Sequence, residues 1–274
     1  MAAGQKPDIL TEKKKKGGPA IWKPENKERI LTFDCYGTLL DTKPLYALIE
    51  NTARKANLDG DLALRIFSQW EDRVMYGQSF LPYDQLLLRV LQWCDWQLET
   101  DVFTTLYPEV LAVHENFQPF DDVIPALKAF KEKGWKIGLM SNTTEKLMAV
   151  HRKALADLAD LWLCAEDTQC YKPDLHFFQQ AQSRWNLADA IHLHIAKGYW
   201  WDMIPAASMN WHRIWVNREQ QPLNSSQPQP DLCVLSLNEL ADTDLTGVFE
   251  DETGHPLDSF TTIQAQRNYR DHGF

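Results

Sequence analysis

The chain has 274 residues, 44% of them hydrophobic, which is enough to bury the core of one large domain or of one domain with an insert. Its formal net charge of −10 opposes binding to the phosphate backbone of nucleic acids. Because no apolar run approaches a membrane span, the first residues lack a signal-peptide apolar segment, and the five cysteines form no CxxC pair, we expect a cytoplasmic protein without nucleic-acid or membrane partners.

The two ends of the chain are poor in apolar residues. The first 24 residues are polar and contain Lys13–Lys16 followed by two glycines, so we predict a disordered N-terminal arm over residues 1–24. Residues 251–274 form a predicted C-terminal tail to which we assign no role.

A helical segment follows the first predicted strand. Ile30–Phe33 is a short apolar run that ends at Asp34. Beyond it, apolar residues recur at helical spacing in four segments, Leu45–Ala56, Leu62–Met75, Leu81–Trp93 and Val102–His114. We therefore predict a helical cap over residues 43–118, inserted into the rest of the fold.

Strands and helices alternate after this insert. The predicted strands are Lys136–Met140, Leu161–Ala165, Ile191–Ala196, Arg213–Asn217 and Cys233–Leu235. The main predicted helices are Val123–Lys133, Thr144–Leu158, Leu175–Trp185 and Met203–Met209. This alternation is typical of βαβ units, so we predict an α/β fold whose Rossmann-like parallel sheet is formed by residues 25–42 and 119–250.

Polar residues follow four of the predicted strands: Asp34, Ser141–Asn142, Lys172 and Asp202. In a parallel α/β sheet, ligands bind beyond the carboxyl ends of the strands, so the topology would bring these residues to one edge. Each residue alone is compatible with a helix cap, a turn or a surface charge. Together, in this order, they predict a site for a small-molecule substrate.

Four segments resemble the motifs of the haloacid dehalogenase superfamily. They are Phe33-Asp34-Cys35-Tyr36-Gly37-Thr38-Leu39-Leu40-Asp41, Leu139-Met140-Ser141-Asn142, Tyr171-Lys172-Pro173-Asp174, and His194-Ile195-Ala196 through Asp202 to Pro205-Ala206. The resemblance covers roughly residues 30–218. It implies a hydrolase with a helical cap placed after the first motif.

The resemblance also implies catalytic roles. Asp34 would be the nucleophile and form a covalent ester with the substrate. Thr38 would orient the carboxylate of Asp34, and Lys172 would hold that carboxylate ionised. Asp202 would position a water molecule or a metal ion.

The subclass within the superfamily depends on Tyr36. Family phosphatases carry an aspartate there as general acid, and a tyrosine is a poor acid near neutral pH. The Asp-x-Tyr-Gly-Thr form resembles the 2-haloacid dehalogenases, whose halide leaves without a proton. Ser141 and Asn142 would hold the anionic group of the substrate through hydroxyl and N–H donors.

Glu71 departs from the dehalogenase pattern. Those enzymes have an arginine after a cap tryptophan, near the leaving halide, whereas here Trp70 is followed by Glu71. We predict that Glu71 faces the site and favours a substrate with a cationic or hydrogen-bond-donating group. The alternative is a solvent-facing helix charge. A second departure is Phe178, where those enzymes have a tyrosine.

The segment before Asp202 departs as well. Lys197 and Gly198 replace the polar residues usual there, and Trp200 and Trp201 follow. We predict that Lys197 adds a second positive charge to the site in place of a metal, and that the tryptophans form apolar walls or direct an indole N–H at a leaving anion. Alternatively, Lys197 turns to solvent and the tryptophans pack the cap on the core.

Three functions stay open on this basis. The first is a hydrolase of a small anionic substrate that needs no cofactor, most like a 2-haloacid dehalogenase. The second is a Mg²⁺-dependent phosphatase with Asp34, Asp202 and a backbone carbonyl as metal ligands. The third is a catalytically silent binding protein that kept the fold. A homodimer is compatible with each of them.

Overall fold

A computed structural model describes residues 27–77 and 79–245 of the chain. The predicted N-terminal arm and C-terminal tail lie outside the described residues. Within the described part of the chain, no helix is both long and apolar enough to cross a membrane.

The centre of the fold is a parallel sheet of six strands. They are β1 (Arg29–Asp34), β2 (Lys136–Ser141), β3 (Leu161–Cys164), β4 (Ile191–Ala196), β5 (His212–Val216) and β6 (Leu232–Val234). Their order is β3-β2-β1-β4-β5-β6, and every neighbouring pair is parallel. All six residues of β4 are buried, as expected for a strand covered by helices on both faces. The predicted α/β fold with a Rossmann-like sheet is confirmed.

Six helices connect the strands or follow the last one: α6 (Val123–Glu132), α7 (Glu145–Ala154), α8 (Ala165–Thr168), α9 (Leu175–Arg184), α10 (Ile204–Ser208) and α11 (Asn238–Ala241). The chain moves outward on one side of β1 through β2 and β3, then returns to β4 on the other side. Right-handed crossovers therefore place α6 and α7 on one face of the sheet and α9 and α10 on the opposite face. In agreement, α6 packs against α11, and α9 packs against α10.

A second group of helices lies between β1 and α6. These helices are α1 (Lys43–Lys55), α2 (Gly60–Gly77), α3 (Tyr83–Leu98), α4 (Val102–Thr105) and α5 (Tyr107–Glu115), and none adds a strand to the sheet. The chain leaves and re-enters the core through two adjacent segments. There the N–H of Asp41 donates to the carbonyl of Gln118 at 2.9 Å, and the N–H of Phe120 donates to that of Leu39 at 3.1 Å. We refer to residues 43–118 as the cap.

Two predicted helices differ from the observed ones. The predicted helix Val102–His114 is divided into α4 and α5, because Pro108 lies in the first turn of α5 and lacks the N–H that a continuous helix would need there. The predicted helix Met203–Met209 is preceded by a π-helical turn at Tyr199–Met203, which contains Asp202. Such wide turns occur often at functional sites.

Candidate active site

The sheet reverses its strand order between β1 and β4, and the predicted site residues meet at the carboxyl end of these strands. Asp34 is the last residue of β1, and Asp202 lies in the π-helical turn that follows β4. Lys172 comes from the segment between α8 and α9. Parallel strand direction brings these three side chains together although they are far apart in the sequence.

A tight loop after β1 holds the carboxylate of Asp34. The φ of Gly37 is +75°, a left-handed conformation, and a Cβ at this position would lie 3.2 Å from Cδ of Lys197. The loop places Thr38 beside Asp34, and the Thr38 hydroxyl donates to Oδ2 of Asp34 at 2.6 Å. The same hydroxyl accepts from the backbone N–H of Lys197 at 2.8 Å. The Lys197 N–H thus holds the Thr38 hydroxyl in place, and the hydroxyl restricts the orientation of the Asp34 carboxylate.

Lys172 connects the two buried carboxylates. Its Nζ donates to Oδ1 of Asp34 at 2.8 Å, to Oδ1 of Asp202 at 2.7 Å and to the carbonyl of Met140 at 2.9 Å. An ammonium group has three donors, so all of them are used. Lys172 and Asp202 are each only 1% exposed. One positive charge is therefore shared between two carboxylates.

This sharing shifts the acidities of the three groups. Burial raises the pKa of Asp34, while the charge of Lys172 opposes that rise. Burial alone would raise the pKa of Asp202 too, but Lys172 and a hydrogen bond from His194 hold it below its ordinary value. Burial alone would lower the pKa of Lys172, but Asp202 and Asp34 together raise it. Lys172 therefore stays charged at neutral pH.

A cavity of about 530 Å³ lies between the cap and this edge of the sheet. Nine of the predicted site residues line it: Asp34, Tyr36, Glu71, Asn142, Lys172, Lys197, Trp200, Trp201 and Asp202. Its volume is within the range of small-molecule sites in proteins. Of the predicted site residues, Thr38 and Ser141 do not line the cavity. Thr38 contributes through its hydrogen bond to Asp34.

That Ser141 and Asn142 hold a substrate anion stays a prediction, and the structure shows what their side chains contact in the protein itself. Ser141 is fully buried and is not part of the cavity wall. The Oδ1 of Asn142 accepts from the backbone N–H of Lys172 at 2.7 Å, and its Nδ2 donates to the carbonyl of Lys172 at 3.0 Å. The Asn142 amide therefore positions Lys172, because both of its ends are occupied by that residue's backbone.

Of the two predictions for Lys197, the structure shows the one in which its side chain turns to solvent and does not pair with the buried carboxylates. Its Nζ donates to Oε1 of Glu219 at 2.6 Å, and its side chain is 32% exposed. The flexible stem of Lys197 passes Gly37 and carries the ammonium toward solvent. The site therefore keeps one lysine against two carboxylates.

Trp200 and Trp201 lie at the rim of the cavity, where they are 47% and 38% exposed. The ring of Trp200 makes an edge contact with Tyr76 of α2, with 5.0 Å between the centroids. The hydroxyl of Tyr76 donates to the carbonyl of Lys172 at 2.9 Å. Trp200 thus packs the cap on the core while it lines the cavity.

Tyr36 lies where a general acid would be needed for an oxygen leaving group. Its hydroxyl shares a hydrogen bond of 2.7 Å with the hydroxyl of Thr143. Burial raises its pKa well above the ordinary value. Tyr36 is therefore a very weak acid and contributes a polar wall to the cavity.

Glu71 lines the cavity from α2. Its Oε1 accepts from the hydroxyl of Tyr83 at 2.7 Å. Burial raises the pKa of Glu71 to about 7, although the Tyr83 hydrogen bond opposes this rise. None of the ion pairs found within residues 27–77 and 79–245 includes Glu71. The carboxyl group is therefore partly protonated near neutral pH.

We expect Glu71→Gln to stabilise the protein at pH 8 and to have little effect at pH 4.5. Because the folded-state pKa lies above the ordinary value of 4.5, the native state holds a proton that the unfolded state releases, and wild-type stability falls as pH rises from about 4.5 to about 7. The variant lacks this loss, so the difference in stability grows across that window and is constant above it, at up to about 3 kcal/mol. Urea unfolding at several pH values measures it, and a pH-independent difference would contradict the raised pKa.

A buried hydrogen-bond chain behind Asp202 was not anticipated from the sequence. Because a carboxylate only accepts, Nε2 of His194 donates to Oδ1 of Asp202 at 3.2 Å. The Nδ1 of His194 lies 2.9 Å from the hydroxyl of Thr32, which lies 2.8 Å from Nε2 of His192. The period-two spacing of His192 and His194 in a strand otherwise apolar was the available signal.

The sequence patterns also do not identify Arg218 as a residue that supports the site. Its Nη2 donates to the carbonyl of Thr38 at 2.9 Å, and its Nη1 pairs with Oδ2 of Asp122 at 3.0 Å. The guanidinium thereby supports the loop after β1 from outside the cavity. Nothing in the local sequence around Arg218 distinguishes it from a surface arginine.

Comparison with known proteins shows which family the chain resembles. A family model described as haloacid dehalogenase-like hydrolase matches residues 28–209. The (S)-2-haloacid dehalogenase 4A of Burkholderia cepacia is 24% identical over 209 residues, which is 71% of this chain and 85% of the relative. The (S)-2-haloacid dehalogenase of Pseudomonas sp. strain YL is 22% identical over 229 residues, 82% of this chain and 97% of the relative.

Solved structures share the fold. An L-2-haloacid dehalogenase from Xanthobacter autotrophicus superimposes with a TM-score of 0.68 at 14% identity, over 78% of this chain and 97% of that one. A structure of an L-2-haloacid dehalogenase from the same organism, with chloropropionic acid covalently bound, superimposes with a TM-score of 0.65 at 15% identity, over the same shares of the two chains.

Proposed function

This chain belongs to the haloacid dehalogenase-like hydrolases, and from this premise we propose that it hydrolyses a small haloacid-like substrate with Asp34 as nucleophile. The observation that carries the proposal is the placement of Asp34. It ends β1 at the floor of the cavity, with Oδ2 bound by Thr38 and Oδ1 bound by Lys172. The two positioned donors favour the ionised carboxylate against the effect of burial and limit its rotation, as an attacking group requires.

The proposed reaction has two steps. An oxygen of Asp34 attacks the carbon that bears the halogen, and the carbon–halogen bond breaks with its electron pair leaving on the halide. Water then attacks the carboxyl carbon of the resulting ester, and the bond from that carbon to the ester oxygen breaks. One proton of the water goes to the leaving oxygen, which releases the hydroxy acid, and the other goes to solvent, which restores the Asp34 carboxylate. Asp202 is held by Lys172 and His194 close to this ester and would position the water.

Tyr36 supports a halide as the leaving group. A halide departs as a stable anion, whereas an alkoxide released from a phosphate ester needs a proton. Burial raises the pKa of Tyr36, so its hydroxyl is a poor donor of that proton. The hydrolase with a halide leaving group is therefore favoured over the phosphatase.

The arrangement of donors and carboxylates does not fit Mg²⁺ between Asp34 and Asp202. The ammonium of Lys172 already bridges their Oδ1 atoms, and Oδ2 of Asp34 accepts from Thr38. A divalent ion there would have to lie beside a charged ammonium and compete with it for the same oxygens. We therefore propose a reaction without a metal cofactor.

A substrate panel tests the proposed function. Purified protein is given short 2-chloro acids and phosphomonoesters, each with Mg²⁺ and with EDTA. We expect halide release that EDTA changes by less than about twofold, since Lys172 supplies the charge that a metal would otherwise bring. Phosphate release that requires Mg²⁺ would reject this proposal and support the phosphatase.

Two further expectations stay predictions. Self-association into a homodimer is tested by the molecular mass in solution. A cytoplasmic location is tested by fractionation of the cells that make the protein.

A further inference from the structure

The cap side of the cavity carries a polar cluster that the proposed halide displacement does not use. Glu71 accepts from Tyr83, and the Tyr83 ring stacks on Tyr36 with 6.1 Å between the centroids. The ring of His114 contacts the edges of both tyrosines at 5.3 Å. All four residues line the cavity that also contains Asp34.

His114 provides a second observation that points to a ligand in this part of the cavity. It is 1% exposed, and its Nδ1 has no hydrogen-bond partner within the described part of the chain. Burial lowers the pKa of His114 to about 3, so its ring is neutral near pH 7. A neutral ring with a free nitrogen leaves the carboxyl of Glu71 without a neighbouring cation.

The charges around the cavity leave a deficit of positive charge. Lys172 is shared between Asp34 and Asp202, and Lys197 pairs with Glu219. Glu71 and Asp72 line the same cavity, and burial raises the pKa of each. None of the ion pairs within the described residues includes either of them. A cation arriving with the substrate would find an acceptor here and would restore the ionised form of Glu71.

Aromatic faces suit the same ligand. Tyr36, Tyr46 and Tyr83 all line this part of the cavity, and the quadrupole of an aromatic ring attracts an ammonium group when water is excluded. A carboxylate beside several aromatic rings therefore favours an alkylammonium group over a neutral polar group or a second carboxylate.

We propose that the Glu71–Tyr83–Tyr36 wall of the cap binds an alkylammonium group of the substrate, while the halogenated carbon lies at Asp34. The substrate class is then a haloacid that also carries an amino group, charged at neutral pH. This inference rests on the proposed function for its chemistry, but the ammonium site itself does not depend on turnover.

Binding of a simple cation tests the site directly. Calorimetry compares n-butylammonium chloride with n-butanol on the full chain, as wild type, Glu71→Gln and Glu109→Gln. Glu109 is an exposed carboxylate of α5 outside the cavity wall and serves as the matched control. Glutamine keeps an oxygen that can accept from Tyr83, so circular dichroism should show an intact fold.

We expect the wild type and Glu109→Gln to bind butylammonium at least about tenfold more tightly than Glu71→Gln does, and butanol to show no such difference. Equal binding of butylammonium by wild type and Glu71→Gln, or no binding by the wild type, would overturn the ammonium site.

Turnover separates this inference from the proposed function. The ratio of kcat/KM for 2-chloro-6-aminohexanoate to that for 2-chlorohexanoate should exceed about 10 in the wild type and fall at least about tenfold in Glu71→Gln. A ratio of 1 or less in the wild type would overturn the inference. If neither acid is hydrolysed, the proposed function fails, and the butylammonium result still decides the site.

Discussion

Replacing Asp34 by asparagine is expected to lower turnover by at least about 1,000-fold, because an amide oxygen is a much weaker nucleophile than a carboxylate. The side chain keeps its size, and its oxygen can still accept from Thr38 or Lys172. Steady-state halide release, together with mass spectrometry of the protein after mixing with substrate, measures the loss of both turnover and ester formation.

Asp41→Asn is the matched control for this substitution. Asp41 lies seven residues further along, outside the cavity wall, and its Oδ1 accepts from the backbone N–H of Lys43. Turnover near the wild-type rate is expected for it. Wild-type turnover by a folded Asp34→Asn would show that another residue attacks the substrate.

Replacing Lys172 by methionine is expected to cost about 3–5 kcal/mol of stability and most of the activity. The substitution removes the cation that bridges Asp34 and Asp202 and leaves these two buried carboxylates without it. Both would tend to ionise as the pH rises, so the loss should be greatest at neutral pH and smaller in acid, where protonation relieves the repulsion. Urea unfolding at pH 5 and pH 7 measures this difference.

Lys131→Met provides the comparison for Lys172→Met. Lys131 forms an ion pair with Asp160 near the surface, where both side chains are about one third exposed. Exposed pairs contribute about 0–1 kcal/mol, so its loss should be small at both pH values. If the two lysine variants unfold at similar urea concentrations, the buried charge sharing at Lys172 is not what stabilises the site.

Much of the fold follows from local patterns in the sequence. The buried strands β1 and β4 are short, mostly apolar runs: β1 ends at Asp34, and β4 is followed by Lys197. The segment from α1 to α5 keeps a helical period. Local patterns do not predict where a helix is interrupted. The break at Pro108 and the π-helical turn at Tyr199–Met203 depend on one proline and on the packing around Asp202, which periodicity alone does not register.

The location of the candidate site in the fold could also be predicted from the sequence. Asp34, Lys172 and Asp202 were expected at one sheet edge, and the structure brings both carboxylates within hydrogen-bond distance of Lys172. Side-chain direction was less predictable. Asn142 turns to the backbone of Lys172, and Lys197 turns to Glu219, because each finds its partner on a different segment of the chain.

The sequence by itself determined which residues stand at the ends of the parallel strands, because strand order and direction bring those ends to one edge whatever the side chains do. Only the tertiary structure decided how the charges are paired. Lys172 rather than Lys197 bridges the carboxylates, and His194, whose Nδ1 lies against Thr32, donates to Asp202 from Nε2. Such pairings depend on distances of about 3 Å between atoms from distant segments, and only the packed fold sets those distances.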